Sequence, residues 1–234
     1  MSGLHRLEEL SSAQARELMS RGDAVVVIPV GSVEQHCEGP LGTDLMIAQG
    51  VAEAACERVS GPCVLAPPIA YGFSAEWSLA PGTVSLSLRT LQLLLRDVIT
   101  SLVRSGARNV VIVNGHYGNS PAVEAALRDM MPSLPPEAAV VQVNYWEALE
   151  LDVGHASDAE AEVMKALGYS VDFGRCECLQ GSPRGTKVYV RPGEGPATLR
   201  SPARGLTRDF IGSAVAEAIE GALRAARSSR RPLP

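Results

Sequence analysis

The amino-acid sequence predicts an α/β fold: a three-layer α/β/α sandwich with a mostly parallel central sheet. Three features carry that prediction. Short, nearly continuous apolar runs rich in β-branched residues read as strands buried on both faces. Longer stretches between them carry apolar residues at helical spacing. The two kinds alternate along the chain, the order that produces parallel crossovers.

In chain order, residues 7–20 predict a helix and residues 24–30 (AVVVIPV) a buried strand. A Gly- and Pro-bearing loop over 31–43 leads to a helix over 45–59 and a short strand over 63–66, stopped by Pro67-Pro68. Residues 67–87 form a long punctuated loop. Residues 88–105 predict a helix with Leu91, Leu94, Leu95, Val98 and Leu102 on its apolar face and Gly106 as its C-cap. A strand over 109–113 (NVVIV), a helix over 121–131, a strand over 138–143 and helices over 157–167 and 207–226 complete the pattern. Residues 168–203 are weakly patterned, with 186–191 (TKVYVR) reading as a strand. No repeat or linker divides the chain, so residues 1–234 are read as one domain, with 223–234 a frayed tail.

Hydrophobic residues make up 46% and charged residues 20%, as in a globular protein, while aromatics at 4% leave the core to Val, Leu, Ile and Ala. A formal net charge of -5 argues against a nucleic-acid partner. The basic residues Arg224, Arg227, Arg230 and Arg231 cluster in the tail, where such runs are normally solvated. No apolar run approaches the roughly 20 residues of a membrane span, and the N-terminal stretch lacks a secretory apolar core. A cytoplasmic protein without a membrane partner is expected. Cys37, Cys56, Cys63, Cys176 and Cys178 lack zinc-finger spacing and are expected to be mostly free thiols.

Polar residues that carry chemistry fall just after the predicted strands, where ligands collect in open parallel sheets. Glu34 and His36 are two apart, so an extended segment turns both toward one side. Asp44 follows at the start of a predicted helix. Carboxylate and imidazole together suit zinc, manganese or iron; Asp44 with Thr43 equally suits a helix cap. His116 sits between Gly115 and Tyr117-Gly118 after the 109–113 strand, as a ligand, a base or a loop histidine bonded to backbone. His155 precedes Ser157 and Glu160, whose S-x-x-E spacing fits a capping box as well as a metal-binding carboxylate. Imidazole titrates near neutrality, so His155 fits general acid or base work. Tyr117 and Trp146 fit one wall of a pocket, and a core role fits Trp146 as well.

These segments resemble the creatininase family of amidohydrolases. The likeness runs through Pro29, Gly31-Ser32, Glu34-Gln35-His36 and Thr43-Asp44; Pro81-Gly82-Thr83; Asn114-Gly115-His116 with Asn119; and His155-Ala156 with Glu160. The resemblance implies an amidohydrolase holding two divalent ions, zinc foremost, with manganese or iron as alternatives. It implies that Asp44 bridges them, that Glu34 and His116 complete one shell, and that His36 and a second carboxylate complete the other. In creatininase proper that carboxylate lies two residues beyond the histidine of the N-G-H motif. Gly118 stands there in this chain, and Glu160 is assigned in its place. The segment between His36 and Asp44 is one residue shorter than the family motif and lacks its second histidine, with Glu38 and Gly39 nearby. Trp77 stands where a histidine often precedes P-G-T, and Ala161-Glu162 replaces T-S; the resemblance implies that Trp77 and Glu38 line the substrate pocket with Tyr117 and Trp146.

The resemblance implies hydrolysis of a C–N bond in a small amide, formamide or cyclic amide, with His155 and Glu34 as catalytic residues. Arg184, Lys187 and Arg191 would suit a phosphate-bearing substrate. A homo-oligomer, often a hexamer, is the family's usual state. Alternatives are a C–C bond or peptide hydrolase of the same family and a non-catalytic metal- or ligand-binding relative.

Overall fold

A strand whose residues are all apolar can be buried on both faces only if helices cover both sides of the sheet. The computed structural model, which describes residues 3–174 and 205–228, has this arrangement. Strands β1 (Leu4–Arg6), β2 (Val25–Val30), β3 (Cys63–Leu65), β4 (Asn109–Asn114) and β5 (Ala139–Asn144) form one sheet in the order β1-β3-β2-β4-β5. All four pairings are parallel. Every residue of β2 and β4 is buried. Alternation then divides their side chains: Val25, Val27, Val111 and Val113 enter one core, and Val26, Ile28, Val30, Val110 and Ile112 the other.

Helices α1 (Ser12–Met19), α3 (Leu88–Arg104) and α4 (Ser120–Met130) cover the second core. Helices α2 (Thr43–Cys56), α6 (Asp158–Ala166) and α7 (Arg208–Ser228) cover the first, with a single turn, α5 (Tyr145–Ala148), directly after β5. In α3, Ser87 accepts the Thr90 N–H as N-cap, and Leu91, Leu95, Ile99 and Leu102 are buried. Leu94, expected on that face, is 38% exposed, because Ile99 continues the buried stripe instead. Gly106, at φ 112, closes the helix with its N–H on the Val103 carbonyl.

The central strands and helices lie where the pattern placed them. The N-terminal stretch differs: residues 4–6 form an edge strand pairing with β3, and the predicted first helix splits into a short 3-10 turn, Leu7–Glu9, and α1. Ser11 causes the split, since its hydroxyl and the Gln14 side chain build a reciprocal cap that starts α1 afresh. The tail also differs. Helix α7 runs to Ser228 and buries Leu223, while residues 224, 225, 227 and 228 are exposed. The strand expected over 186–191 lies outside the described residues.

The expectation of mostly free thiols is corrected. Cys56 ends α2, Cys63 opens β3, and the turn between them carries Gly61 at φ 91, so their Cα atoms come within 5.3 Å and their sulfurs form a disulfide. Cys37 is disulfide-bonded as well. No described helix is long and apolar enough to cross a membrane.

Ile112 is wholly buried at the centre of β4. Ile112→Ala should lower stability by about 2–5 kcal/mol. Urea unfolding reads this directly, and a loss below about 1 kcal/mol would contradict the packing described.

Candidate metal centre

From β2 the chain passes outward to β3, then returns across β2 to β4, so connections leave the carboxyl ends of β2 and β4 in opposite directions. The crevice at such a switch is where open parallel sheets bind ligands. The loop after β2 carries Glu34 and His36, and the loop after β4 carries His116. Helix α2 brings Asp44 in its first turn, and α6 brings Glu160.

Two glycines let these elements meet. A Cβ on Gly31 would lie 2.4 Å from the Leu45 Cα, and one on Gly115 would lie 2.3 Å from the Asp44 carbonyl oxygen. The ends of β2 and β4 therefore press backbone to backbone on the start of α2. Asn119 secures the same corner: its amide donates to the Gly31 carbonyl (3.0 Å) and accepts the Phe73 N–H (2.9 Å).

Asp44 is not a helix cap. Gly42 is the N-cap residue, without a side-chain cap bond, and the Thr43 hydroxyl donates to Pro40. The Asp44 carboxylate turns inward instead and is 2% exposed with its residue. Its Oδ2 accepts from the Ser32 hydroxyl (2.7 Å) and lies 3.0 Å from His116 Nδ1, while Oδ1 lies 3.4 Å from His36 Nε2. One oxygen thus faces each histidine.

Second partners set which nitrogen of each ring looks inward. His36 Nδ1 meets the Glu34 carbonyl at 3.1 Å, leaving Nε2 to the centre. His116 Nε2 meets the Phe73 carbonyl at 2.9 Å, leaving Nδ1. A backbone carbonyl on one nitrogen is the usual support for a histidine that ligates through the other. Glu160 completes the capping box and also lies among the ligand atoms of the cluster. Its Oε2 accepts the Ser157 N–H (3.0 Å) in a complete capping box, yet the buried carboxylate remains in reach of His36 and Asp44.

Three groups of ligand atoms, each spanning no more than 4.8 Å, result among the described residues: Glu34, Asp44 and His116; His36, Asp44 and Glu160; and Glu34, His36 and His155. Asp44 joins the first two groups. Glu34 Oε2 and His36 Nε2 are buried with no hydrogen-bond partner. An unsatisfied buried polar atom is costly, and two in one cluster fit a site shaped for cations. Imidazole and carboxylate are the donors that divalent transition metals accept.

Burial and charge act in opposition here. Burial lowers the His36 and His116 pKa values, but the surrounding carboxylates outweigh it and raise them to about 9 and about 10. Burial and the Asp44 charge push Glu160 up to about 8. Asp44 lies well below the usual carboxylate range, because the two histidines overcome its own burial. Without cations the cluster therefore holds protons at neutral pH, and a bound metal would displace them.

His155 sits at the mouth of this cluster, with Nδ1 3.3 Å from Glu34 Oε1. Trp77 stacks on it at a centroid distance of 4.4 Å. Tyr117 is 69% exposed and stands 5.8 Å from the Trp146 ring, which belongs to the core and meets Tyr145 edge-on. Glu38, expected in the pocket, is exposed and lies instead against residues 173–174. At Gly118 a Cβ would stand 2.4 Å from His116 Nε2, so no side chain fits there. The sequence reading overlooked Ser32 and Tyr145 beside the carboxylates and Phe173, whose ring lies 6.0 Å from His36. Ser32 adjoins the Glu34 motif and was within reach of the spacing argument; Phe173 falls in the weakly patterned stretch.

A family model described as creatininase, creatinine amidohydrolase, matches residues 8–188. The chain belongs to the creatininase family. Creatinine amidohydrolase of Pseudomonas putida is 31% identical over 149 residues, covering 59% of this chain and 56% of the relative. The mycofactocin precursor peptide peptidase of Mycolicibacterium smegmatis is 42% identical over 123 residues, covering 50% and 49%. The chain spans about half the length of the curated relatives it matches. Among solved structures, a mutant creatininase of Zn-Zn type aligns with a TM-score of 0.72 at 26% identity, covering 97% of this chain and 98% of that one. A structure described as creatininase Mn aligns at 0.71 and 25%, covering 97% and 99%.

Gly115→Ala should cost about 1–3 kcal/mol, since the added methyl meets backbone. Gly22→Ala, with nothing within 4 Å, should change stability by no more than about 0.5 kcal/mol. Equal thermal midpoints for the two variants would refute the tight corner.

Proposed function

We propose that this protein is a metal-dependent amidohydrolase that cleaves a C–N bond of a small amide, formamide or cyclic amide. The observation that carries the reading is the buried convergence of Glu34, His36, Asp44, His116 and Glu160, with two inward polar atoms lacking partners. Glu34, Asp44 and His116 would hold one divalent ion, and His36, Asp44 and Glu160 a second, zinc foremost and manganese or iron as alternatives. Bound there, such ions acidify water and polarise a carbonyl oxygen.

The chain's own residues supply the rest. Ser32 holds one Asp44 oxygen in place. Glu34 would present Oε1 to His155. His155, at the mouth, would act on the reacting amide from Nδ1. Trp77 and Tyr117 would flank the substrate, and the strand ends keep bulk water from the far side of the centre.

A second reading, hydrolysis of a peptide bond, draws on the 42% identity to a mycofactocin precursor peptide peptidase. A third, cleavage of a C–C bond, draws on 27% identity over 145 residues to the 3-dehydro-scyllo-inosose hydrolase of Thermotoga maritima. Amine or ammonia release from small amides, against release from short peptides, separates the first two; a product without a freed nitrogen marks the third. A homo-oligomer in the cytoplasm is the setting we propose for it.

Elemental analysis of protein purified without chelator should find about two zinc, manganese or iron ions per chain. Asp44→Ala and His116→Ala should lose metal and turnover, the former both ions. Asp44→Ala protein that keeps its metal would overturn the assignment. Glu160→Gln should lose about one ion, since only the His36 group includes it; full occupancy in that variant would return the second carboxylate to an unassigned residue.

A further inference from the structure

We propose that Gln35 is a positioning residue that fixes the tautomer of His155, keeping Nδ1–H toward the carboxylate cluster and the Nε2 lone pair away from it. The tautomer follows from the local hydrogen bonds alone; its consequence for the reaction rests on the amidohydrolase reading.

The Cys37 backbone stands at φ 56, a left-handed conformation uncommon outside glycine. Its main-chain N–H donates to Gln35 Oε1 at 3.1 Å. An N–H can meet only the oxygen end of an amide, so this bond decides which way the Gln35 side chain is turned. The Gln35 main-chain N–H donates to the Thr83 hydroxyl at 3.0 Å, tying the residue to the Pro81-Gly82-Thr83 turn. The amide nitrogen is thereby committed to the other end, 2.8 Å from His155 Nε2.

An amide NH2 group only donates, so Nε2 must accept. A neutral imidazole that accepts at Nε2 carries its proton on Nδ1. That nitrogen lies 3.3 Å from Glu34 Oε1. The ring is confined: the Trp77 and His36 rings each lie 4.4 Å from it. The two Glu34 oxygens are thus distinguished, Oε1 facing His155 and Oε2 lying 3.5 Å from His116 Nε2 without a hydrogen bond.

Acid and base roles are both chemically open to a histidine. Gln35 narrows them. With its proton on Nδ1, His155 can donate a hydrogen bond to an oxygen gathering negative charge, and it cannot take a proton from water through that nitrogen. A neutral imidazole donor of this kind stabilises charge without a full proton transfer.

The test is a long-range 15N–1H correlation spectrum of the full chain, labelled with 15N-histidine and supplied with zinc. The His155 signals are identified by their absence in His155→Asn. In the wild type, Nδ1 should be protonated and Nε2 not. In Gln35→Glu, a carboxylate that accepts at both ends, Nε2 should become protonated. If that variant does not fold, Gln35→Met, which lacks the donor, should show a mixture of tautomers. A wild type protonated at Nε2 or averaged between nitrogens overturns the proposal, as does a variant spectrum identical to the wild type. Zinc measured on the same samples keeps the two readings apart: a zinc-free wild type with Nδ1 protonated removes the metal centre and leaves Gln35 in its role.

Discussion

The backbone contact of Gly31 and Gly115 with the first turn of α2 governs the rest of the site. Asp44 can stand between two histidines only because the ends of β2 and β4 reach that turn without side chains in between. The same contact lowers the carboxylate into a buried corner, where it would be untenable alone. His36, His116 and Ser32 make it tenable by charge and hydrogen bonding. Sheet, helix and site are therefore one structural problem, solved at a corner where large residues have no room.

A cluster of three carboxylates and three histidines is expensive in the absence of cations. Burial and the Asp44 charge raise the Glu160 pKa, and two polar atoms remain without a hydrogen-bond partner. Those costs are the signature of a place prepared for positive charge. The supporting contacts agree with one another: the inward-facing nitrogens of His36 and His116 are each set by a carbonyl on the opposite side of the ring, and one oxygen of Glu160 is held by the α6 cap. Such second contacts orient ligands before any ion arrives.

Departures from the family motifs fall both at the mouth, at Trp77, and beside the centre, at Gly118. Trp77 stacks on His155 where a histidine often stands, and Gly118 has no space for a side chain because His116 and the Phe73 carbonyl occupy it. The inner cluster is fixed by buried contacts, whereas the mouth is partly open to solvent, with Tyr117 exposed. Relatives with different substrates can therefore share the first and differ in the second.

Most of the central fold was legible in the sequence, because β-branched runs and helical spacing depend on local periodicity. Glu34, His36, Asp44, His116 and Glu160 were legible as well, though motif order, more than spacing, singled them out. What the sequence left open were choices between two local roles: cap or ligand for Asp44 and Glu160, acid or base for His155, pocket or surface for Glu38. Those choices depend on residues distant along the chain. The Ser32 hydroxyl donates to Asp44, the Gln35 amide meets the His155 ring, and Glu38 lies against residues 173–174. The edge strand at 4–6 and the Cys56–Cys63 disulfide escaped for the same reason, since each needs a partner that only β3 and its turn bring near. The sequence by itself determined which elements form and which side chains carry chemistry, because periodicity and residue type are local. Only the tertiary structure decided which atoms of those side chains face one another, because that is set by contacts between loops far apart in the chain.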